Sequence, residues 1–195
     1  MASRGYTLVF RWVLGLAVVM LCGIVYLIKD VPSLHEQQAS YCEGQNASVD
    51  GKYLKFEELS VNALRVFKLA EPHYKIGVVQ ILLLKMPEMN ALNRVLHAIA
   101  LEVWIKKYKE SELIEFYLNR VYLGVGCYGI DAAAKAYFKK DVSDLSLEET
   151  AEILAMIKSP SSYSIADNPE QNKKRAESLI NQLQSASEHA APKEQ

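Results

Sequence analysis

The sequence predicts an all-α domain that follows a single amino-terminal transmembrane helix. Residues 12–28 are continuously apolar, and from residue 56 onward apolar side chains recur every three or four positions. The 195 residues carry a net charge of −1 and are 50% hydrophobic, which suits one domain plus an anchor. There is no basic excess that would indicate nucleic acid as a partner.

The apolar run is extended upstream by residues 8–10, so it reaches the roughly 20 residues that a helix needs to cross a bilayer. A cleaved signal peptide is the alternative, but the run is long for one and no small-x-small cleavage site follows it. Arg4 and Arg11 precede the end of the run, whereas Lys29 is followed at once by Asp30. The positive-inside rule therefore favours a cytoplasmic amino terminus and an external body.

The first two segments of the chain follow from this topology. Residues 1–30 are predicted to form a cytoplasmic tip and an uncleaved anchor. Residues 31–55, which begin near Pro32 and show no clear period, are predicted to form a linker. Cys42 and Cys127 both fall on the oxidising side, where a disulfide persists. With only two such cysteines, a bridge and two free thiols both remain open.

Helical periodicity dominates the rest of the chain. The first helix is predicted to begin near Phe56. A second apolar segment at 78–84 is interpreted as a helix, because it is rich in leucine and stopped by Pro87. Further helices are predicted over 90–108 and 112–118.

Turn and capping signals complete the pattern. Three glycines mark turns that require φ > 0 or a close backbone approach: Gly124, Gly126 and Gly129. Ser146 with Glu149 forms a capping box ahead of a helix over 147–158.

The last helix starts at Asn168 and Pro169 and is predicted to end near Gln184. The helical domain therefore covers 56–184, and 185–195 form a polar tail. Nine residues are predicted to contribute to one core: Leu113, Phe116, Tyr117, Leu118, Tyr122, Ala133, Phe138, Leu154 and Leu179.

A series of short patterns in the second half of the chain is its most specific signal. The series reads E-L-I-E-F-Y-L-N at 112–119, V-Y-L-G-V-G at 121–126, Y-G-I-D-A-A-A at 128–134 and Y-F at 137–138. It resembles the second half of the bacterial peptidoglycan glycosyltransferase (transglycosylase) domain, glycosyltransferase family 51, whose members polymerise lipid II. The resemblance is strongest over 102–183.

The resemblance implies a lysozyme-like helical transglycosylase lobe. It implies a single-pass protein of the bacterial inner (cytoplasmic) membrane with its domain on the periplasmic side. The partners that it implies are the membrane, lipid II or nascent glycan chains, and cell-wall synthesis proteins, with no nucleic acid. It implies no certain cofactor; the family can hold a divalent cation, but no metal ligands are assigned in this chain.

Glycan polymerisation needs a carboxylate base beside the attacking hydroxyl, and cations that stabilise the leaving diphosphate. The family supplies the base from an E-D-x-x-F-x-x-H-x-G motif, and the resemblance places Glu71 at that position. Pro72 stands where the family has Asp, and the rest of the motif is missing. Glu71 is therefore the candidate base, and a solvated carboxylate at a helix end is the alternative interpretation.

Three further residues are candidates for substrate binding. Lys85 matches the lysine of the family motif G-x-S-T-I-T-Q-Q-x-x-K-N and can meet a phosphate as a point charge. It follows Glu71 by only fourteen positions, so the resemblance implies that the family's jaw or flap segment is deleted. Arg94 keeps a cation within the family's R-K-x-x-E motif, where His97 replaces the carboxylate. The alternatives are a surface lysine for Lys85 and a partly buried helix histidine for His97.

The remaining matched positions are expected to be structural: Glu115, Tyr117, Asn119, Gly124, Gly126, Lys174 and Arg175. Glu115 and Asn119 lie four positions apart, so they share one helix face and are predicted to brace the wall of the site. Lys174 and Arg175 are predicted to brace the last helix against the core.

Positions that pack the lobe are retained, whereas most positions that contact substrate are changed. We therefore expect a membrane-anchored family domain that acts in cell-wall assembly as a pseudoenzyme. It would bind lipid II, glycan or a synthesis partner with weak or no polymerase activity. One alternative is an active monofunctional transglycosylase, and another is a membrane-tethered helical interaction module.

The topology is directly testable. Reporter domains fused after Gly44 and after Gln195 should both report the external side of the membrane, because the predicted anchor crosses it once. Amino-terminal sequencing of the purified protein should begin at the start of the chain. A sequence that begins near residue 30 would instead indicate a cleaved signal peptide.

Overall fold

The computed structural model describes residues 13–15, 22–23, 40–43, 48–86 and 90–190. Within these ranges the chain is mostly helical, as the sequence predicts. The α-helices are α1 (Val61–Ala70), α2 (Tyr74–Leu84), α3 (Ala91–Trp104), α4 (Glu110–Leu118), α5 (Ile130–Phe138), α6 (Leu147–Ala155) and α7 (Pro169–Ala190). Short 3-10 turns lie at Phe56–Glu58, Ile105–Lys107, Val142–Asp144 and Met156–Lys158.

Side-chain caps fix the starts of several helices. The Asn90 side chain accepts the Asn93 N–H at 2.8 Å at the start of α3. At α6, Ser146 and Glu149 form the predicted capping box, with reciprocal bonds of 3.2 and 2.8 Å. The end of the last helix was wrongly predicted, because α7 continues past Gln184. No glycine or proline occurs in this region before Pro192 to stop it.

A small antiparallel sheet corrects the prediction of an all-α domain. Its strands are β1 (Tyr41–Glu43), β2 (Ser48–Asp50) and β3 (Cys127–Tyr128), in the order β2-β1-β3. Strands of two or three residues are too short to show the alternating pattern by which a sequence reveals a strand.

The described part of the predicted linker belongs to the folded body. Ser40, Cys42 and Leu54 are all buried. Cys42 lies opposite Cys127 in the sheet, and the two form a disulfide, which settles the alternative left open by the sequence. The bridge closes a loop with a sequence separation of 85 residues, so it holds the amino-terminal strand to the middle of the chain.

The predicted core is correct with one exception. Seven of its residues are buried: Leu113, Phe116, Tyr117, Leu118, Ala133, Leu154 and Leu179. Phe138 is partly buried and packs against this core. Tyr122, however, is 43% exposed, whereas its neighbours Val121 and Leu123 are buried. The chain is extended here, so successive side chains alternate and Tyr122 points outward against the ring of Tyr128.

The predicted anchor at 1–30 lies almost entirely outside the described residues. In the part of the chain that is described, no helix combines the length and the apolar content required to cross a bilayer. The division into anchor, linker, domain and tail stays a prediction.

The core assignment predicts the effect of truncating Leu118, which is 1% exposed. Leu118→Ala should lower the free energy of unfolding by about 2–5 kcal/mol, because it removes buried apolar atoms and leaves a cavity. Leu92, which is 69% exposed, provides the matched control. Leu92→Ala should change the free energy by no more than about 0.5 kcal/mol in the same urea titration. Equal effects would contradict the assignment.

Candidate functional site

Two polar side chains of α4 hold the chain that precedes α1. Glu115 Oε1 accepts the Tyr53 hydroxyl at 2.7 Å, and its Oε2 accepts the Phe56 N–H at 2.9 Å. Asn119 is 2% exposed and pairs with both polar backbone groups of Leu54. Its Oδ1 accepts the Leu54 N–H at 2.8 Å, and its Nδ2 donates to the Leu54 carbonyl at 2.8 Å. These four bonds join α4 to a segment about sixty residues earlier.

A buried carboxylate adds a second connection that the sequence analysis did not identify. Asp131, at the start of α5, is fully buried, and its Oδ2 accepts the Lys52 N–H at 2.7 Å and the Lys135 ammonium at 2.9 Å. Ser40 Oγ donates to the Lys52 carbonyl at 3.0 Å and accepts the Ala132 N–H at 3.2 Å. These bonds tie the segment around Ser40 and Lys52 to the start of α5, so they fix the position of the amino-terminal strands.

The glycine-rich turn after α4 permits the close approach of β1. Gly124 and Gly126 have φ values of 77° and 73°, in the left-handed region that favours glycine. A Cβ on Gly126 would collide with the carbonyl group of Glu43, whose N–H donates to the Gly126 carbonyl at 3.1 Å. The turn therefore needs glycine both for its conformation and for its contact with the sheet.

One pocket brings together two predicted site residues, Lys85 and Asn119, and residues that the sequence analysis missed. Its volume is about 170 Å³, and its lining comes from Tyr41, Ile81, Leu84, Lys85, Asn119, Arg120 and Tyr128. Lys85 follows α2 directly, and Arg120 follows Asn119. Arg120 is only 7% exposed, and its guanidinium lies 4.1 Å from the centre of the Phe116 ring. Two cations beside tyrosine rings make this pocket suited to an anionic ligand.

Arg120 was missed because it stands outside the motif positions that the sequence analysis used. The sequence feature that could have indicated it is its position directly after Asn119, the last residue of the matched pattern at 112–119. The aromatic part of the pocket depends on the sheet, since Tyr41 and Tyr128 are opposite each other with ring centres 5.2 Å apart.

Glu71 lies elsewhere, at the carboxyl end of α1. Partial burial raises the pKa of its carboxyl above the ordinary value of 4.5. Burial and the neighbouring Glu71 carboxylate also raise the pKa of the Tyr117 hydroxyl. Helix α2 separates Glu71 from Lys85, and its 11 residues span about 16 Å at a rise of about 1.5 Å each. The structure does not bring these two candidates together.

Arg94 and His97 lie on α3, and neither lines the pocket that contains Lys85. Arg94 is exposed. His97 is half-buried, and its Nδ1–H donates to the Asn93 carbonyl one turn earlier at 2.8 Å. The predicted substrate-binding set of Lys85, Arg94 and His97 therefore does not share one pocket here.

The divalent cation implied by the resemblance has no ligand set among the residues described. Within 40–43, 48–86 and 90–190 there is no cluster of three or more His, Cys, Asp or Glu side chains arranged to hold a metal ion. Hard cations such as Mg²⁺ and Ca²⁺ need several oxygen ligands, which these described ranges do not bring together.

Comparison with known proteins identifies the family. A family model described as "Transglycosylase" matches residues 79–184, more than half of the chain. The chain belongs to the transglycosylase family. This match covers the strongly similar region and the residues of the Lys85–Arg120 pocket other than Tyr41, whereas Glu71 lies before it begins.

Two penicillin-binding proteins are among the curated proteins to which this chain is similar. Penicillin-binding protein 1F of Bacillus subtilis (strain 168) is 42% identical over 95 residues, which cover 49% of this chain and 13% of the relative. Penicillin-binding protein 1A of Pseudomonas aeruginosa is 36% identical over 92 residues, which cover 47% of this chain and 11% of the relative. The matched part is thus a small fraction of each relative.

A solved structure, that of penicillin-binding protein 1A from Haemophilus influenzae, aligns with a TM-score of 0.48 and 20% identity. The alignment covers 77% of this chain and 19% of the solved chain.

The bonds of Asn119 predict a large effect of its removal. Asn119→Ala leaves the Leu54 N–H and carbonyl unpaired in the interior, which costs about 1–3 kcal/mol for each unsatisfied group. The free energy of unfolding measured with urea should fall accordingly. Asn181→Ala, at an exposed position of α7, is the control and should have little effect. If the two variants were equally stable, Asn119 would not be a brace.

The raised pKa of Glu71 predicts a pH dependence. The folded protein binds this proton more readily than the unfolded chain, so the contribution of Glu71 to stability falls as pH rises from 4.5 through the raised pKa. Glu71→Gln removes that fall. The free energy of unfolding of the variant minus that of the parent should therefore increase as pH rises across this window.

The control for this measurement is Glu177→Gln, at an exposed position of α7. Its free energy of unfolding relative to the parent is measured at each pH in the same urea titrations. If the free energy of unfolding of Glu71→Gln relative to the parent decreased as pH rose, the result would contradict a pKa raised by burial of the Glu71 carboxyl.

Proposed function

We propose that this transglycosylase-family domain acts in bacterial cell-wall assembly by binding the diphosphate of lipid II or of a nascent glycan chain, with weak or no polymerase activity. The observation that supports the proposal most is the pocket that both Lys85 and Arg120 line. Arg120 is held against the Phe116 ring, so its charge is preorganised for an anion.

The absence of turnover is proposed from the position of the candidate base. A base must lie within hydrogen-bond reach of the proton that it removes, in the same substrate pose that the cations hold. Glu71 is separated from Lys85 by the length of α2. Misplacing even one preorganised stabilising group commonly costs about 10²–10³ in rate. The proposed role is therefore binding in place of polymerisation.

The finer architecture is also a proposal. We propose a lysozyme-like lobe from which the family's jaw or flap segment is missing, because α2 fills the interval between Glu71 and Lys85. We further propose that residues 1–30 anchor the chain in the inner membrane and place the domain on the periplasmic side. The disulfide between Cys42 and Cys127 suits that oxidising side.

One observation favours the alternative of an active transglycosylase. Glu71 is partly buried, and burial raises the pKa of its carboxyl, as is common for catalytic acids and bases. The structural explanation is that this carboxylate ends α1 beside Tyr117. The two explanations differ in what happens to glycan synthesis when Glu71 is replaced.

The decisive experiment measures lipid II binding and polymerisation by the detergent-solubilised full chain. The parent protein should bind lipid II and form no glycan chains. Lys85→Gln should weaken binding several-fold, because it removes a cation from the pocket. Lys158→Gln, which changes an exposed lysine elsewhere, is the matched control and should bind like the parent.

Two results would contradict the proposal. Glycan chains that disappear in Glu71→Gln would establish the active transglycosylase. Failure of the folded parent protein to bind lipid II would remove the role assigned to the pocket.

A further inference from the structure

The disulfide between β1 and β3 lies next to the two tyrosines that line the pocket described above. Tyr41 precedes Cys42 and Tyr128 follows Cys127, so each cysteine is the chain neighbour of one of these tyrosines. In the β1–β3 pairing the tyrosines are opposite each other, and the cysteines form the next pair. Successive side chains of a strand point to opposite faces. The bridge is therefore on the buried face of the sheet, and the tyrosines are on the face toward the pocket.

The noncovalent attachment of β1 to the body of the domain is short. The strand pairs with β3 over two residue pairs. At one end of β1 the Glu43 N–H donates to the Gly126 carbonyl at 3.1 Å, and at the other the Ser40 hydroxyl accepts the Ala132 N–H at 3.2 Å. A ladder of this length is marginally stable in water by itself. The disulfide is the covalent tie in the middle of this attachment.

A separate attachment holds the chain that follows the sheet. Asn119 pairs with the N–H and the carbonyl of Leu54, which lies twelve positions after Cys42. These bonds do not involve the bridge. The strand β1 can therefore open locally while the chain from Leu54 onward stays in place.

Reduction of the bridge would disturb the fit of β1. Both cysteines are buried, with 3% and 2% of their surface exposed. Breaking the bond adds two hydrogen atoms and separates the sulfur atoms to nonbonded contact inside a close-packed interior. The neighbouring turn leaves no spare room, because even a Cβ on Gly126 would collide with Glu43. The expected response is movement of β1 away from β3, which separates the Tyr41 ring from the Tyr128 ring.

This movement would change the surroundings of the cations in the pocket. Arg120 is 7% exposed, and Lys85 lines the same pocket as the two tyrosines. When the tyrosines move apart, water enters beside these charges and the effective dielectric constant rises. The attraction between the cations and a bound anion therefore weakens.

We propose that the Cys42–Cys127 bridge is a redox switch for the Lys85–Arg120 pocket. The oxidised chain binds an anionic ligand, and the dithiol form of the chain binds it several-fold more weakly while its helices stay folded. The inference rests on the anion binding proposed above, and it places a dithiol oxidation before ligand binding.

The oxidation is a thiol–disulfide exchange with a disulfide-containing oxidant. One cysteine thiolate attacks a sulfur of the oxidant's disulfide, forms a mixed disulfide and releases the oxidant's other sulfur as a thiolate. The second cysteine thiolate then attacks the cysteine sulfur of the mixed disulfide, forms the bridge and releases the remaining oxidant sulfur. Two electrons pass to the oxidant, and its two sulfur atoms take up the two protons that the cysteine thiols lose.

The test compares the oxidised and the reduced full chain in detergent, in a Cys22→Ser background that leaves only the two bridging cysteines. Dithiothreitol reduces the bridge, and alkylation with mass spectrometry establishes that both thiols are free. Reduction should weaken lipid II binding several-fold, and reoxidation should restore it. The matched control carries Cys42→Ala and Cys127→Ala. It should bind like the reduced chain and should not respond to dithiothreitol.

Hydrogen exchange distinguishes local opening of β1 from a general loss of structure. The Glu43 N–H and the Gly51 N–H report on β1, because they donate to the carbonyls of Gly126 and Ser40. In the reduced chain their exchange free energies should fall below those of the Leu54 and Leu118 amides, which should stay matched to each other. If all four amides kept equal exchange free energies after reduction, the bridge would be a general staple and the switch would be overturned.

The binding results separate this inference from the proposed function. Equal lipid II affinity of the oxidised and reduced chains would overturn the switch and leave the proposed function standing. If the oxidised chain does not bind lipid II, the proposed function fails. The exchange of the Glu43 and Gly51 amides then decides by itself whether the bridge controls the opening of β1.

Discussion

The pairing between Asn119 and the backbone of Leu54 is the constraint on which the rest of the structure depends. Asn119 lies at the end of α4, whose Phe116 and Leu118 are in the centre of the core. Because both residues of the pair are buried, the bonds cannot be exchanged for water without leaving polar groups unsatisfied. The chain before α1 is therefore fixed to the core by hydrogen bonds, and the disulfide from Cys42 continues this attachment into the sheet.

This attachment explains why the pocket exists where it does. The end of α4 supplies Asn119 and Arg120, the sheet supplies Tyr41 and Tyr128, and the end of α2 supplies Lys85. Three parts of the chain that are distant in sequence meet there because the amino-terminal strand is held against β3. The retained family pattern thus preserves the pocket that Lys85 and Arg120 line.

The sequence predicted what depends on local periodicity and capping. The helices and the capping box at Ser146 follow from patterns within a few residues, as does the shared helix face of Glu115 and Asn119. The sheet, the disulfide and the role of Arg120 depend on contacts between distant segments, which a single sequence does not display. The prediction that Tyr122 belongs to the core is wrong, because the extended chain turns its ring outward.

The central claim, that the amino-terminal segment is part of the folded body through α4, is tested most directly by native-state hydrogen exchange. If Asn119 and Glu115 hold this segment, the amide protons of Leu54 and Phe56 should exchange only through global unfolding. Their exchange free energies should then match that of the Leu118 amide in the core and fall in parallel with it as urea is added. Fast exchange at Leu54 and Phe56, independent of urea while Leu118 remains protected, would show that the segment opens on its own and would contradict the claim.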